Sequence, residues 1–182
     1  MDITIAAISG SLRAESYNTK LLRAFLKVAP KGVTVKLIDI ANLPFINEDL
    51  EMALPEAVRK FHETVMPVDA VLLATPEYNR SYSPAIKNAL DWGPRPHGVN
   101  VWDGKPVGIV GCTPYSLGAF GAQHHLRQVV SHLNMQPLQQ PEFYLERVGE
   151  KFDAEGNVID PKTQEKITQY WSAFVALIQK HK

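Results

Sequence analysis

Short apolar runs alternate with amphipathic stretches along the whole chain, a pattern that predicts a parallel sheet with crossover helices. Ile3 to Ile8 reads as a buried first strand, after which Leu21, Leu22, Phe25, Leu26 and Ala29 recur at helical spacing. Val33, Val35 and Leu37 alternate with polar residues as a second strand. Pro55 opens a helix carrying Ala57, Val58, Phe61 and Val65, and residues 42–53 form a long loop before it. Residues 69–75 are apolar enough for a central strand, and Ser83-Pro84 supplies an N-cap and a first-turn proline for a helix reaching Trp92. Glycines and prolines then mark a surface connection over 93–105. A fourth strand follows over 106–111, a fourth helix over 121–133, and a fifth strand over 138–145 that Pro141 interrupts. Residues 152–158 suggest a small hairpin. Asp160-Pro161 caps a last helix with Ile167, Tyr170, Trp171, Phe174, Val175 and Ile178 turned inward. Five strands alternating with five helices suit an α/β, doubly wound parallel sheet of order 2-1-3-4-5.

Composition narrows the class. The 182 residues are 45% hydrophobic and 21% charged, which suits one globular domain over 1–182 and excludes a disordered polymer. Nineteen Lys and Arg balance nineteen Asp and Glu, so no global field draws in nucleic acid or an anionic membrane, and a small-molecule partner is expected. Cys112 is the only cysteine, which allows no internal disulfide and suits a reducing, cytoplasmic setting. Runs such as 70–74 and 174–178 are far too short to span a bilayer, and the first residues carry no basic leader region.

In a sheet of this order the chain reverses between strands one and three, and ligands sit beyond the carboxyl ends of the strands at that switch. The loop after strand one is Ser9-Gly10-Ser11-Leu12-Arg13-Ala14-Glu15-Ser16-Tyr17-Asn18, leading into a helix. Hydroxyls, a guanidinium and free amides at a helix N-terminus favour an anion. Only Gly10 of a dinucleotide-binding glycine pattern is present, and no triphosphate-binding glycine-lysine loop occurs, so a terminal phosphate monoester is the expected ligand. Ser11, Ser16 and Asn18 would donate to it while Arg13 adds charge-assisted bonds. The competing reading is that these residues only cap the helix. The loop after strand three, Thr75-Pro76-Glu77-Tyr78-Asn79-Arg80, offers a stiff turn with an aromatic side and amides, suited to a flat heteroaromatic ring. Its competing reading has Tyr78 packed under the loop and Asn79 in an Asx turn. Phosphate in one loop and ring in the other together specify a mononucleotide.

These motifs resemble the NADPH-dependent FMN reductase family, the flavodoxin-like quinone, azo and chromate reductases. The resemblance rests on Gly-Ser-Leu-Arg-x-x-Ser-x-Asn at 10–18, Thr-Pro-Glu-Tyr-Asn at 75–79 and Ile86-Lys87-Asn88-Ala89-Leu90-Asp91-Trp92, and continues to Phe152-Asp153. It implies noncovalent FMN with Ser11, Arg13, Ser16, Tyr17 and Asn18 around its phosphate and Pro76, Glu77, Tyr78 and Asn79 at the isoalloxazine. It further implies hydride transfer from NADPH (or NADH) through FMN to quinones, flavins or azo compounds in a ping-pong cycle, within a homodimer or homotetramer. The loop after strand four, with Ser116, should complete the ring pocket.

Other chemistries are less well supported. Relatives often carry an aromatic or small residue where Arg80 stands, which leaves the substrate pocket's shape open; Arg80 reads either as a partner for the phosphates or 2'-phosphate of NADPH or as a solvated loop arginine. A flavodoxin-type electron carrier is the main alternative, but carriers usually present a strong acidic face that this balanced chain lacks. Cys112 lacks the arginine six residues on that a cysteine phosphatase needs, and reads as strand-end packing. His124 and His125 are adjacent on a helix and cannot share a metal at i, i+4 spacing. No catalytic side chain is assigned, as expected where a cofactor carries the reaction.

Overall fold

The structure, a computed structural model, describes residues 2–182. In chain order the elements are β1 (Ile3–Ser9), α1 (Tyr17–Lys27), β2 (Val33–Ile38), α2 (Glu56–Val65), β3 (Ala70–Ala74), α3 (Pro84–Trp92), β4 (Pro106–Cys112), α4 (Phe120–His132), β5 (Gln136–Pro137), β6 (Phe143–Leu145) and α5 (Pro161–His181). The strands form one parallel sheet of order β2-β1-β3-β4-β5, and β6 also pairs with β4. This is the flavodoxin-like arrangement.

The predicted fifth strand is therefore two short pieces. Pro137 and Pro141 have no N–H to give the ladder, so pairing with β4 stops after Pro106–Val107 and resumes at Val110–Cys112. Within the predicted loop at 42–53, residues Glu48–Ala53 wind into a 3-10 turn. Its N-cap Asn47 side chain accepts from the Asp49 N–H at 3.0 Å. The hairpin at 152–158 reduces to a single Phe152–Val158 bridge.

Period-2 alternation sends successive strand residues to opposite faces. Ile3, Ile5 and Ala7 of β1 pack with Leu72 of β3 against Leu21, Leu22 and Phe25 of α1 and Trp171 and Phe174 of α5. Ala6, Ile8, Val71 and Leu73 pack on the other side against Phe61, Ile86, Trp102 and Leu126. Phe25 is a node of the first core, edge-on to Phe143, Tyr170 and Trp171 at centroid distances of 5.3, 5.6 and 5.7 Å. Truncation at fully buried Leu72 would cost about 2–5 kcal/mol. Leu37, on edge strand β2, stays exposed, and Val175 is only half-buried.

Three helix starts follow their sequence signals. The hydroxyls of Ser16 and Ser83 accept from Thr19 and Ile86 N–H, each at 3.2 Å, and the Asp160 carboxylate accepts from Thr163 N–H at 2.9 Å. The carboxyl ends of β1, β3 and β4 thus deliver three loops to one edge of the sheet.

Candidate active site

Ser9 ends β1, and its Oγ accepts from the Ser11 N–H at 3.3 Å and lies 2.8 Å from the Thr19 hydroxyl, folding the chain sharply toward α1. The Gly10 N–H donates to the Ala74 carbonyl at 2.8 Å. A Cβ on Gly10 would sit 2.7 Å from Ser83 Oγ and 3.1 Å from Pro76 Cδ, so glycine lets the first and third loops touch. Ser11, Arg13 and Thr19 line a hollow of about 240 Å³ beside this turn, and Asp39, also in its wall, spends its carboxylate on the Ala41 N–H at 2.9 Å.

At the start of α1 the first turn contains no acidic residue. The Ser16 hydroxyl is an acceptor for Thr19, which leaves its own proton free to donate, and the Tyr17 and Asn18 N–H groups lie in the first turn, where the helix supplies no acceptor. Arg13 is exposed and enters no ion pair among the described residues. The Ser16 hydroxyl, the first-turn amides and the helix dipole make this end of α1 anion-ready, and the unpaired Arg13 guanidinium stands on the loop leading into it, in the wall of the hollow with Ser11.

Two residues expected at that anion also have side-chain contacts within the protein. The buried Asn18 amide donates to the Cys112 carbonyl at 3.2 Å and accepts from the Cys112 N–H at 3.1 Å. It fastens α1 to the end of β4, which leaves the second amide hydrogen and the main-chain N–H for an anion. The Tyr17 ring packs against the core, with Lys20 Nζ 5.9 Å from its centroid.

Beyond β3, Thr75 and Pro76 are buried, and the Thr75 hydroxyl donates to the Pro76 carbonyl at 2.8 Å. Tyr78 and Ser81 pair through two main-chain hydrogen bonds of 2.9 and 3.0 Å. Between them Asn79 and Arg80 have φ of 50° and 66°, the double left-handed step of a tight hairpin turn. Asn79, Arg80 and Glu77 form one wall of a cleft of about 620 Å³, whose other wall is Thr113, Tyr115, Ser116 and Leu117. Tyr78 is half-exposed and stands outside that lining, so it does not plug the cleft.

Glu77, expected at the ring, lines this cleft, and its carboxylate also bonds to α4 and to Arg80. One oxygen accepts from the Ala122 N–H at 3.2 Å and the other from Arg80 at 3.0 Å.

Sequence reading singled out only Ser116 on the wall after β4. Thr113, Tyr115 and Leu117 also line it, and the only clue to them was a long connection with a large aromatic on it. Gly118 explains how this loop turns. With φ of 53°, a Cβ there would lie 2.5 Å from the Leu145 nitrogen, so glycine presses the loop onto β6. Cys112 is 2% exposed, and burial pushes its thiol far above the usual range, matching a packing role. His124 and His125 diverge, to the Tyr144 hydroxyl at 3.4 Å and the Ser81 hydroxyl at 3.1 Å. Among the described residues no cluster of His, Cys, Asp or Glu suits a metal ion.

A doubly wound sheet with an anion-ready helix start beside its β1/β3 switch point and a cleft between the loops after β3 and β4 defines a flavodoxin-like protein. The sequence pattern of the NADPH-dependent FMN reductases matches residues 3–150, and the chain belongs to that family. It is therefore an FMN- and NAD(P)H-dependent oxidoreductase. A quinone reductase of Pseudomonas putida is 42% identical over 173 residues, 94% of this chain and 90% of that protein. An NADPH:quinone oxidoreductase of Arabidopsis thaliana is 43% identical over 174 residues, 92% of this chain and 87% of that one. The solved structure of FerB, a flavoenzyme NAD(P)H:(acceptor) oxidoreductase from Paracoccus denitrificans, superposes with a TM-score of 0.93 at 40% identity, covering 98% of each chain.

The residues present fit FMN. An acid-free helix start with unpaired N–H groups and a free guanidinium suits its dianionic phosphate. A cleft of about 620 Å³ between two loop walls has room for a tricyclic ring.

Proposed function

We propose that this chain is a NAD(P)H:quinone oxidoreductase whose residues 1–182 act as one FMN-binding domain. The observation that carries the reading is the meeting, at one sheet edge, of the α1 N-terminus and the cleft between Glu77–Arg80 and Thr113–Leu117. Bound FMN would supply the hydride relay between the reduced nicotinamide and the acceptor.

The chain's own groups divide the remaining work. Ser11, Arg13, Ser16 and the Tyr17 and Asn18 N–H groups hold the phosphate. Pro76, Glu77, Tyr78 and Asn79 shape the turn on one side of the ring, through the main chain more than through side chains. Ser116 works from the opposite wall. Main-chain dipoles fixed in both walls would meet charge developing on the ring without reorganising, and where the bound ring displaces water such dipoles count for more than in solution. No residue need act as general acid. A quinone enters where the nicotinamide leaves, because a stacking surface selects planarity more than a hydrogen-bonding pattern. Free flavins and azo compounds share that shape.

Two further features belong to this reading. The protein works as a homodimer or homotetramer, which would cover exposed Phe45 and Met52 on the segment before α2. It works in the cytoplasm, in keeping with one buried, unpaired cysteine and with no helix among the described residues long and apolar enough to cross a membrane.

The test is the visible spectrum of purified protein before and after anaerobic NADPH, followed by NADPH consumption with a benzoquinone. A yellow protein that bleaches and then turns over is expected. Bleaching without sustained turnover would point to a carrier, and a protein that stays colourless after FMN is added would end the reading.

A further inference from the structure

The start of α4 lacks a local cap. Its N-cap residue, Ala119, has φ of 68° and no side-chain acceptor, and the first turn contains no acidic residue. Such a terminus ordinarily leaves main-chain N–H groups unpaired, a costly state where the helix start packs against other chain. Here the acceptor comes from 45 residues upstream, the Glu77 Oε2 3.2 Å from the Ala122 nitrogen. That carboxylate is nearly withdrawn from solvent, with a side-chain exposure of 10%.

Several contacts converge on the same place. Gly121 brings α4 so close that a Cβ there would lie 3.0 Å from the Arg80 carbonyl oxygen and 3.4 Å from Glu77 Oε2. His125, one turn further along α4, meets the Ser81 hydroxyl at 3.1 Å. Leu117, Gly118 and Ala119, immediately before the helix, all have positive φ, of 79°, 53° and 68°. Leu117 is also part of the cleft wall. A run of left-handed residues is held by its surroundings and not by its own preference. Glu77 is thus a member of one wall of the cleft that grips the helix continuing the other.

We propose that Glu77 is a positioning residue: by capping α4 across the cleft, its carboxylate fixes the separation of the two walls that receive the flavin ring. This rests on the cofactor site proposed above and assigns Glu77 a role through α4, not through contact with the ring. Without the cap, ring binding must itself order the 117–119 run, and affinity falls accordingly.

The test compares the full-length protein with Glu77→Ala, Glu77→Gln and Asp160→Ala. The last removes the cap of α5, away from the cleft residues, and serves as a control for general loss of stability. FMN dissociation constants are read by flavin fluorescence, the visible circular dichroism of bound flavin reports its surroundings, and thermal melting reports stability. Glu77→Ala is expected to weaken FMN binding on the order of tenfold, the scale of a lost helix cap, and to alter the flavin's dichroism. Glu77→Gln retains an oxygen acceptor for Ala122 and should restore most of the affinity. Asp160→Ala should lower the melting temperature with FMN affinity unchanged.

Unchanged affinity and dichroism in Glu77→Ala would overturn the proposal, as would equal weakening by Asp160→Ala. If Glu77→Ala fails to fold, Glu77→Gln decides: parental dichroism and affinity support the cap, whereas a changed flavin spectrum indicates direct contact and overturns it. Failure of the unsubstituted protein to bind FMN would instead remove the cofactor reading on which the proposal stands.

Discussion

Asn18 and Cys112 are 94 residues apart, yet the amide of one makes both an accepting and a donating hydrogen bond with the main chain of the other. The pair ties the anion-ready start of α1 to the strand that launches the cleft's second wall. Replacing Asn18 with Ala leaves a buried N–H and C=O unpaired, which should cost about 1–3 kcal/mol. A melting temperature lower by roughly 2–12 °C is expected for a domain of this size. Asn18→Asp should be no better, because a carboxylate oxygen would face the Cys112 carbonyl. Melts of both variants check this, and a parental melting temperature in Asn18→Ala would show that the pair contributes nothing.

Arg13 is exposed, so its removal should leave stability within about 0.5 kcal/mol. Loss of a charge-assisted bond to phosphate, worth about 1.5–3 kcal/mol, should weaken FMN roughly tenfold to a hundredfold. Riboflavin, lacking the phosphate, should bind parent and Arg13→Ala equally. Titrations with both flavins make the comparison, and equal weakening of both would move Arg13 away from the phosphate.

Arg80 sits on the cleft wall with its side chain 73% exposed. Arg80→Ala should raise the KM for NADPH several-fold, on the scale of one lost charged contact; a contact to the 2'-phosphate would leave NADH unaffected, whereas one to the shared diphosphate would raise both. Arg80→Gly, which suits φ of 66°, separates this from any backbone effect and should behave the same way. Unchanged NADPH kinetics in both would discharge Arg80 from the role.

Burial pushes the Cys112 thiol away from its reactive thiolate form, so iodoacetamide should label the folded protein no faster than it opens. Labelling in denaturant should be complete within the ordinary time of a free thiol. Fast labelling under native conditions would contradict the packing described for the end of β4.

Asp69 links the starts of two strands. Burial works against its charged form, but the Thr4 N–H at 2.7 Å and Lys182 at 3.0 Å outweigh this and hold its pKa below the usual value. The folded value is thus lower than the unfolded one. Its stabilising contribution is complete above the unfolded pKa of about 3.9 and disappears as pH falls through the lower folded value. Asp69→Asn should flatten the acid limb of a plot of melting temperature against pH, and an unaltered limb would show that other carboxylates govern it.

Much of the architecture was legible along the chain. The alternation in β1, the apolar run of β3 and the helical spacing of α5 each depend on which face of an element is covered, a property of neighbouring residues. The caps Ser16, Ser83 and Asp160 act within four residues of themselves, so they too were readable. The anion-ready loop was visible because hydroxyls, arginine and a helix start follow one another directly. The split of β5 from β6 was only half visible, since Pro141 marked a break but not which residues of β4 would pair on either side.

What sequence alone determined, then, was the order of strands and helices, the edge of the sheet where a ligand would sit, and the kind of ligand. Tertiary structure alone decided how individual side chains there are spent. Asn18 and Glu77 both read as ligand contacts in the sequence, and each also bonds through its side chain to main-chain groups, 94 and 45 residues away, while the other Glu77 oxygen pairs with Arg80. The reason is physical: a buried N–H or carbonyl must find a partner, and which side chain answers depends on distant segments brought together by packing. Local periodicity carries no record of that meeting.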